Sequence, residues 1–243
     1  MHKYKITLEY DGTDYVGWQR QENGNSIQAA IEKAIEKLTL DKVIVFAAGR
    51  TDAGVHARNQ VATFDTESDV EIAQMARGIN YYLPEDIVVK KVVRVDEKFD
   101  PRREAKSRIY KYSIFNSNFH SPLNRLYTHR VSGRLDREMM KEGAKLFLGT
   151  HDFSKFAGKV EKNKSTVRTI FRSTWDCENE ALVYEVEGNA ASQAQFYVTD
   201  SINHFLTGAI YFRATPNFDS IYPAAAYLKN DIKQLMETVE WQD

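Results

Sequence analysis

The chain has 243 residues, of which 42% are hydrophobic and 28% charged, and 33 basic against 34 acidic side chains give a formal net charge of −1. These values predict an ordinary soluble globular protein of one large or two small domains, and they exclude a uniformly basic or uniformly acidic chain. The single cysteine, Cys177, excludes an intrachain disulfide framework and a Cys-only zinc site, and it favours a reducing compartment.

The first part of the chain mixes strand and helix patterns. Apolar and polar residues alternate from Lys3 to Tyr10, which predicts a half-buried strand rather than a signal peptide. Ser26 is a candidate N-cap for a helix whose apolar stripe consists of Ile27, Ile31, Ala34, Ile35 and Leu38. Further strands are predicted at 43–46, 61–65 and 87–95, and a second helix at 70–82. No apolar run is long enough to span a bilayer, so we expect a cytoplasmic protein.

The second part of the chain opens with a similar strand pattern at Arg108–Phe115. A helix is predicted at Leu135–Leu148, ending before Gly149, and two strands at Thr166–Trp175 and Ala181–Val186. Residues 190–212 are compatible with a helix, although their apolar positions are less regular. We therefore predict an α+β protein of two pseudo-equivalent halves, residues 1–100 and 101–243, with mixed, largely antiparallel sheet and a central cleft.

The basic residues are concentrated in two segments. Residues 102–134 hold eight basic side chains and one acidic side chain, a local charge of +7 that leaves −8 for the rest of the chain, and residues 155–172 carry +5. Aromatic side chains such as Tyr110, Tyr112 and Phe153 lie among these bases. Cations for phosphates together with aromatic faces for unstacked bases favour single-stranded or looped RNA as a partner. The alternative is that these side chains are the polar faces of amphipathic strands.

The segment Gly49–Ala57, with the sequence GRTDAGVHA, places Arg, Asp and His in a glycine-flanked loop between two apolar strands. An Asp in such a loop could act as a nucleophile or a base, because its carboxylate is anionic near neutral pH without further activation. The alternative is a structural turn in which Asp52 binds its own backbone and Arg50 forms a surface ion pair.

This loop resembles the signature of the TruA family of tRNA pseudouridine synthases. Four further segments resemble that family in the family's own order and extend the resemblance over roughly residues 1–189: Tyr10–Gln21, Phe99–Arg102, Arg108–Tyr112 and Gly149–Phe156. The resemblance implies the pseudouridine synthase fold. It also implies an enzyme that isomerises uridine to pseudouridine in the anticodon stem-loop of tRNA, at nucleotides 38, 39 and 40, without a cofactor. We further expect a homodimer in which each tRNA contacts both subunits.

The same resemblance assigns roles to individual residues. Asp52 corresponds to the catalytic carboxylate, Tyr110 to the aromatic residue that stacks on the target base, and Arg50 to a residue that holds the RNA as the target nucleotide leaves its stack. Candidates for further RNA contacts are Arg58, His56, Arg102, Arg103 and Lys111. The alternatives are that Tyr110 is a core strand residue, that Arg50 forms a structural ion pair and that His56 binds backbone within its loop.

Beyond Asn189 the resemblance is poor. The family continues there with a helix whose Arg pairs with the catalytic Asp, whereas this chain has Tyr197 at that position, or Ile202 in a shifted alignment. A carboxylate beside RNA phosphates has its pKa raised unless a cation or hydrogen-bond donors stabilise the anion. His204, Arg213 and Arg168 are candidate substitutes. The alternative functions are therefore a catalytically impaired tRNA-binding protein of the same fold, or a structural, protein-binding module.

Overall fold

A computed structural model describes residues 1–22, 24–154, 165–178, 181–189, 196–199 and 205–208. The chain divides into two compact units, Met1–Lys106 and Ser107–Asp243. Each unit combines helix with an antiparallel or mixed sheet, so the predicted α+β fold class is confirmed. The division into two functional halves with a cleft stays a prediction. Within the part of the chain that the structure describes, no helix is both long and apolar enough to cross a membrane.

Unit 1 is built on a four-stranded antiparallel sheet with the strand order β2-β3-β1-β4. Its elements are β1 (His2–Tyr10), α1 (Ile27–Thr39), β2 (Phe46–Ala47), β3 (Ala57–Thr66), α2 (Ile72–Tyr82) and β4 (Ile87–Arg94). The predicted strand at 3–10 and the two predicted helices are therefore present, with ends shifted by one or two residues.

The core of unit 1 follows from the alternation in β1. Ile6 and Leu8 are fully buried, together with Ile31 and Ile35 of α1, because one face of the central strand packs against the apolar stripe of the helix. Ser26 caps α1 as predicted: its Oγ accepts a hydrogen bond from the Ala29 N–H at 3.3 Å. This core fixes the end of β1, where Tyr10 contacts the loop of the candidate site.

Unit 2 contains a five-stranded sheet with the order β6-β5-β9-β8-β7, in which only the described pairing of β5 with β6 is parallel. Its elements are β5 (Arg108–Asn116), β6 (His129–Val131), α3 (Arg137–Lys145), β7 (Gly149–Asp152), β8 (Val167–Glu178) and β9 (Ala181–Gly188). Ile114, Met140 and Leu182 form a small buried cluster between the sheet and α3. The predicted strands of this unit are confirmed, and the helix is shorter than predicted.

Two sequence predictions were wrong. The strand expected at 43–46 is paired only at Phe46–Ala47, because the Val45 N–H donates to the Glu32 carboxylate at 3.0 Å instead of to a neighbouring strand. The helix considered for 190–212 is contradicted by β10 (Phe196–Thr199) and β11 (Phe205–Gly208), which pair antiparallel. Aromatic and β-branched residues such as those of β10 favour strands. The other residues of that span lie outside the described part.

Candidate functional site

The loop that carries Asp52 connects β2 to β3 in unit 1. The Asp52 and Arg50 side chains are exposed, whereas Thr51 between them is half-buried. This arrangement fixes the loop through the central residue and leaves the carboxylate and the guanidinium on the surface. An exposed carboxylate on a fixed loop can act as a nucleophile or as a base toward a bound substrate.

The loop is held from one side by residues 11–18, which we call the bracing segment. The Trp18 N–H donates to the Thr51 carbonyl oxygen at 2.8 Å, and the Gly54 N–H donates to the Tyr15 carbonyl oxygen at 3.2 Å. A further bond, from the Val55 N–H to the Asp52 carbonyl oxygen at 3.1 Å, closes a turn around Asp52. Main-chain bonds therefore hold the loop on both sides of Asp52.

Two glycines let the bracing segment approach this closely. A Cβ at Gly17 would lie 2.7 Å from the Thr51 carbonyl oxygen, and Gly17 has a φ of +105°, which disfavours any residue with a side chain. A Cβ at Gly12 would lie 2.1 Å from the Val55 carbonyl oxygen. The two segments that resemble the same family, Tyr10–Gln21 and Gly49–Ala57, are thus in direct backbone contact.

A side-chain network holds the other side of the loop. The buried Tyr10 hydroxyl lies 2.9 Å from Thr51 Oγ1, and Gln60 Nε2 donates to the Gly49 carbonyl oxygen at 2.6 Å. Burial raises the pKa of Tyr10, while hydrogen bonds from Thr51 and Gln60 partly oppose that rise. The phenol therefore stays neutral around pH 7 and keeps a proton available for hydrogen bonding.

His56 binds the bracing segment rather than projecting from the loop. Its Nδ1 accepts a hydrogen bond from the Gly12 N–H at 3.1 Å, which places the proton of the neutral ring on Nε2. The same nitrogen lies 3.0 Å from Asp11 Oδ1, so both contacts of the ring are with residues of the bracing segment. The bond with Gly12 fits the alternative that His56 binds backbone, except that the Gly12 N–H belongs to the bracing segment and not to the loop that carries His56.

The predicted RNA-binding arginines of unit 1 are all exposed. Arg58 lies at the start of β3, directly after the loop, and Arg102 Nε donates to the Ala47 carbonyl oxygen at 3.4 Å. Arg102 therefore lies beside the strand that leads into the loop. Arg103 forms a weak ion pair with Asp100, at 3.6 Å, on a surface where its side chain is 87% exposed. The structure thus brings Arg50, Arg58 and Arg102 to the neighbourhood of one loop.

Tyr110 and Lys111 belong to unit 2 and lie on opposite faces of β5, as successive strand residues do. Tyr110 is 46% exposed, which excludes the alternative that it is a core residue. Lys111 is the cross-strand neighbour of Glu185. Tyr110 and Lys111, both predicted to contact RNA, therefore lie on different faces of the sheet. The alternation of strand residues implies this separation, which the sequence-based assignment of RNA contacts did not take into account.

The positive charge of the second basic segment, residues 155–172, is partly neutralised. Arg172 forms ion pairs with Glu185 at 2.6 Å and with Glu187 at 3.4 Å, so its charge is balanced within the sheet. The four lysines of this segment lie at 155–164, outside the described residues. Where the structure describes the chain, no group of three or more His, Cys, Asp or Glu side chains could hold a metal ion.

Comparison with known proteins yields two family matches. Residues 6–102 match the family model described as tRNA pseudouridine synthase, and residues 104–241 match the one described as gliding motility lipoprotein GldD. Among individual relatives, a tRNA pseudouridine synthase A from Acetivibrio thermocellus is 44% identical over 189 residues, 78% of each chain. One from Geotalea daltonii is 40% identical over 189 residues, also 78% of each chain. One from Myxococcus xanthus is 43% identical over 191 residues, which are 78% of this chain and 72% of the relative.

Proposed function

We propose that the chain isomerises uridine in the anticodon stem-loop of tRNA, because it belongs to the tRNA pseudouridine synthase family. Over residues 104–241 the chain also belongs to the gliding motility lipoprotein GldD family. The homologues support an isomerase that acts on tRNA uridines. Nucleotides 38, 39 and 40 are the proposed positions. The observation that carries the proposal is the loop of Asp52, held on both sides by contacts with the bracing segment and with Tyr10 and Gln60.

Asp52 is the proposed catalytic residue, in one of two roles. As a nucleophile, its carboxylate forms a bond to ribose C1′ while the glycosidic bond breaks and leaves its electron pair on uracil. Uracil then rotates, its C5 displaces the carboxylate from C1′, and the C5 proton is lost while N1 regains one. As a base, Asp52 instead takes the ribose C2′ proton while the glycosidic bond breaks and its electron pair leaves with uracil; when C5 of the rotated uracil bonds to C1′, the proton returns to C2′, and the C5 proton is again lost while N1 gains one. Both routes are isomerisations that consume no second reactant.

The remaining proposed residues bind RNA. Tyr110 stacks on the target base and Arg50 holds the strand once the nucleotide has left its stack. Flipping a base costs a few kcal/mol, which stacking and phosphate contacts must offset. Phosphate contacts are assigned to Arg58, Arg102, Arg103 and Lys111. In this arrangement residues 1–100 supply the catalytic loop and residues 101–243 the RNA-facing strand, and no cofactor is required.

A homodimer in the cytoplasm completes the proposal. The homodimer follows from the family resemblance, and the single cysteine, Cys177, suits a reducing compartment such as the cytoplasm. Sedimentation of the chain with and without tRNA tests the dimer, because a monomeric complex at micromolar protein concentration would contradict it.

The decisive experiment compares the chain with its Asp52→Ala variant on an unmodified tRNA. We expect pseudouridine from the native chain and none above background from the variant. The matched control is Asp69→Ala, which removes another exposed carboxylate, 17 residues further along the chain, and should leave the product yield unchanged. Equal, background-level product from the native chain and from Asp52→Ala would contradict the proposal.

One observation favours the second candidate, a tRNA-binding protein with impaired catalysis. The match to the GldD family runs to residue 241 and includes both positions, Tyr197 and Ile202, where the synthases are expected to carry an Arg. This candidate predicts salt-dependent tRNA binding without product. Binding should survive Asp52→Ala and weaken when Arg102, Arg103 or Lys111 is neutralised.

A further inference from the structure

The turn that carries Asp52 is exposed and depends on hydrogen bonds for its position. Residues 52–55 are all exposed, and a Cβ at Gly54 would meet no atom within 4 Å, so packing contributes little to holding this turn. The Val55 N–H closes the turn on the Asp52 carbonyl oxygen, and the Gly54 N–H donates out of the turn to the Tyr15 carbonyl oxygen at 3.2 Å. The position of Tyr15 therefore bears directly on the position of Asp52.

The two ends of the bracing segment reach the loop on different sides of Asp52. The Trp18 end binds the Thr51 carbonyl oxygen, before Asp52, and α1 anchors this end because the Gln28 N–H donates to the Trp18 carbonyl oxygen at 3.0 Å. The Trp18 side chain is also buried in the core of unit 1. The Tyr15 end, which binds the loop after Asp52, needs an anchor of its own.

Asp86 supplies that anchor from the start of β4. Its Oδ1 accepts a hydrogen bond from the Tyr15 hydroxyl at 2.6 Å, and its carbonyl oxygen accepts one from the Asp11 N–H at 2.9 Å. Asp86 directly precedes Ile87, the first residue of β4, which is the cross-strand partner of Tyr10 in β1. One residue at the end of a core strand therefore holds the bracing segment at both Asp11 and Tyr15.

The Tyr15 side chain is suited to this bond. The residue is buried, and burial, followed by the Asp86 carboxylate, raises the pKa of the Tyr15 phenol. The phenol therefore stays protonated around pH 7 and donates to the carboxylate. Hydrogen bonds to a carboxylate are stronger than those between neutral groups, and a partly buried hydroxyl that lost this acceptor would be left unpaired at a further cost.

We propose that Asp86 and Tyr15 are positioning residues for the reaction of Asp52. The Asp86 carboxylate holds the Tyr15 side chain, and the Tyr15 carbonyl oxygen holds Gly54, two residues after Asp52. In this role the pair acts on the loop and not on the RNA. A displacement of about 1 Å can cost a reaction on the order of 100-fold in rate, so a fixed turn has a direct effect on catalysis. The proposal rests on the proposed function for the role of Asp52.

The kinetics of pseudouridine formation by the full-length chain on an unmodified tRNA test the proposal. Tyr15→Phe removes only the hydroxyl, and Asp86→Ala removes the carboxylate but keeps the carbonyl oxygen that binds Asp11. Each should lower kcat about tenfold and change KM less than about twofold. The double variant should be no slower than the slower single variant, because both changes break one contact. Asp86→Asn keeps an acceptor oxygen and should recover most of the rate.

Amide hydrogen exchange, measured by NMR, tests the same link without any need for activity. In Tyr15→Phe and in Asp86→Ala the Gly54 N–H should exchange about tenfold faster, because its acceptor is less firmly held. The Trp18 N–H, at the end that α1 anchors, should keep its rate, and so should the amides paired between β1 and β3. Glu85→Ala is the matched control: it removes the neighbouring, exposed carboxylate and should change neither kcat nor exchange.

An unchanged exchange rate of the Gly54 N–H in Tyr15→Phe would overturn the proposal, and so would faster exchange there with an unchanged kcat. Equally faster exchange of the amides paired between β1 and β3 would also overturn it, since it would indicate a general loss of stability. If the native chain formed no pseudouridine, the proposed function would fail, whereas the exchange rates would still decide whether Asp86 and Tyr15 hold the turn of Asp52. The two failures are therefore distinguishable.

Discussion

At the scale of single residues, the position of Asp52 depends on two glycines that carry no side chain as much as on neighbours that form hydrogen bonds. The loop motif predicts the carboxylate, but not the structure that holds it. That support comes from Gly12 and Gly17, forty residues or so earlier in the chain, and from Tyr10. Spacing along a sequence gives no distance between separate loops, so the bracing contacts could not be predicted from the residues alone.

Gly17→Ala should destabilise the chain by about 2 to 4 kcal/mol, because the new Cβ combines a positive φ with a backbone clash. It should also reduce pseudouridine formation, since the clash is with the carbonyl group next to Asp52. Gly54→Ala is the control for φ alone: Gly54 has a φ of +76° but nothing within 4 Å, so about 1 to 2 kcal/mol is expected. Thermal unfolding and product assays measure both. Equal effects from the two substitutions would exclude the clash.

Tyr10→Phe removes a buried hydroxyl that lies 2.9 Å from Thr51 Oγ1. We expect a loss of about 1 kcal/mol in stability. We also expect kcat to fall more than KM changes, because the hydroxyl positions the loop of Asp52 and does not contact RNA. The control is Tyr4→Phe in the same strand, whose ring stacks on Phe64 with centroids 5.6 Å apart. If Tyr10→Phe altered only KM, the positioning role would be wrong.

At the scale of elements, hydrophobic periodicity predicted the strands and helices that bury one clear face. It predicted β1 and α1 because Ile6, Leu8, Ile31 and Ile35 repeat at strand and helix periods and all enter the core. It failed at 43–46, where the buried Glu32 carboxylate takes the backbone donor of Val45. It also missed β6 and β7, which have three and four residues and too little pattern to detect.

Asp41 connects the end of α1 to the end of β3, and this contact makes stability depend on pH. The Thr66 hydroxyl and the Glu67 N–H donate to its Oδ2 at 2.5 and 2.9 Å, and these bonds, led by that of Thr66, lower the pKa of Asp41 below its ordinary value of 3.8. Because the folded pKa is the lower one, the stabilisation is complete above pH 3.8 and is lost as the pH falls through the folded pKa.

Asp41→Asn should therefore lower the unfolding temperature near pH 6 and have a smaller effect near pH 3. Thermal unfolding of both chains across this range measures the difference. Thr66→Val removes the main donor at nearly constant volume and should reduce the pH dependence in the same way. A difference between native chain and Asp41→Asn that stays constant with pH would contradict the assignment.

At the scale of the whole molecule, the net charge of −1 conceals two separations of charge. Along the sequence, residues 102–134 carry +7. Within unit 2, Arg172 pairs with Glu185 and Glu187 on one face of the sheet, and the register places Arg108 and Arg168 on the other face. The sequence predicts the first separation. The second requires the register of four strands, which no local pattern contains.

The C-terminal segment sets the largest difference between this chain and the synthases. Its resemblance to them ends near residue 189, and the GldD match continues to residue 241. The family's Arg is expected beyond that point, where this chain has Tyr197 or Ile202. A carboxylate beside phosphates is protonated more readily unless a cation or hydrogen-bond donors stabilise the anion, and a protonated carboxylate is neither nucleophile nor base.

Replacing residues 190–243 with the corresponding segment of the Acetivibrio thermocellus relative should therefore accelerate pseudouridine formation, because it restores a segment of the synthase family. Single-turnover rates on the same tRNA measure the gain, for which we expect at least about tenfold, the effect of about 1.4 kcal/mol in the barrier. The hybrid with Asp52→Ala should form no product, which shows that the gain acts through Asp52. A hybrid no faster than the native chain would mean that the native segment already supplies what the carboxylate needs, and the impaired alternative would then be wrong.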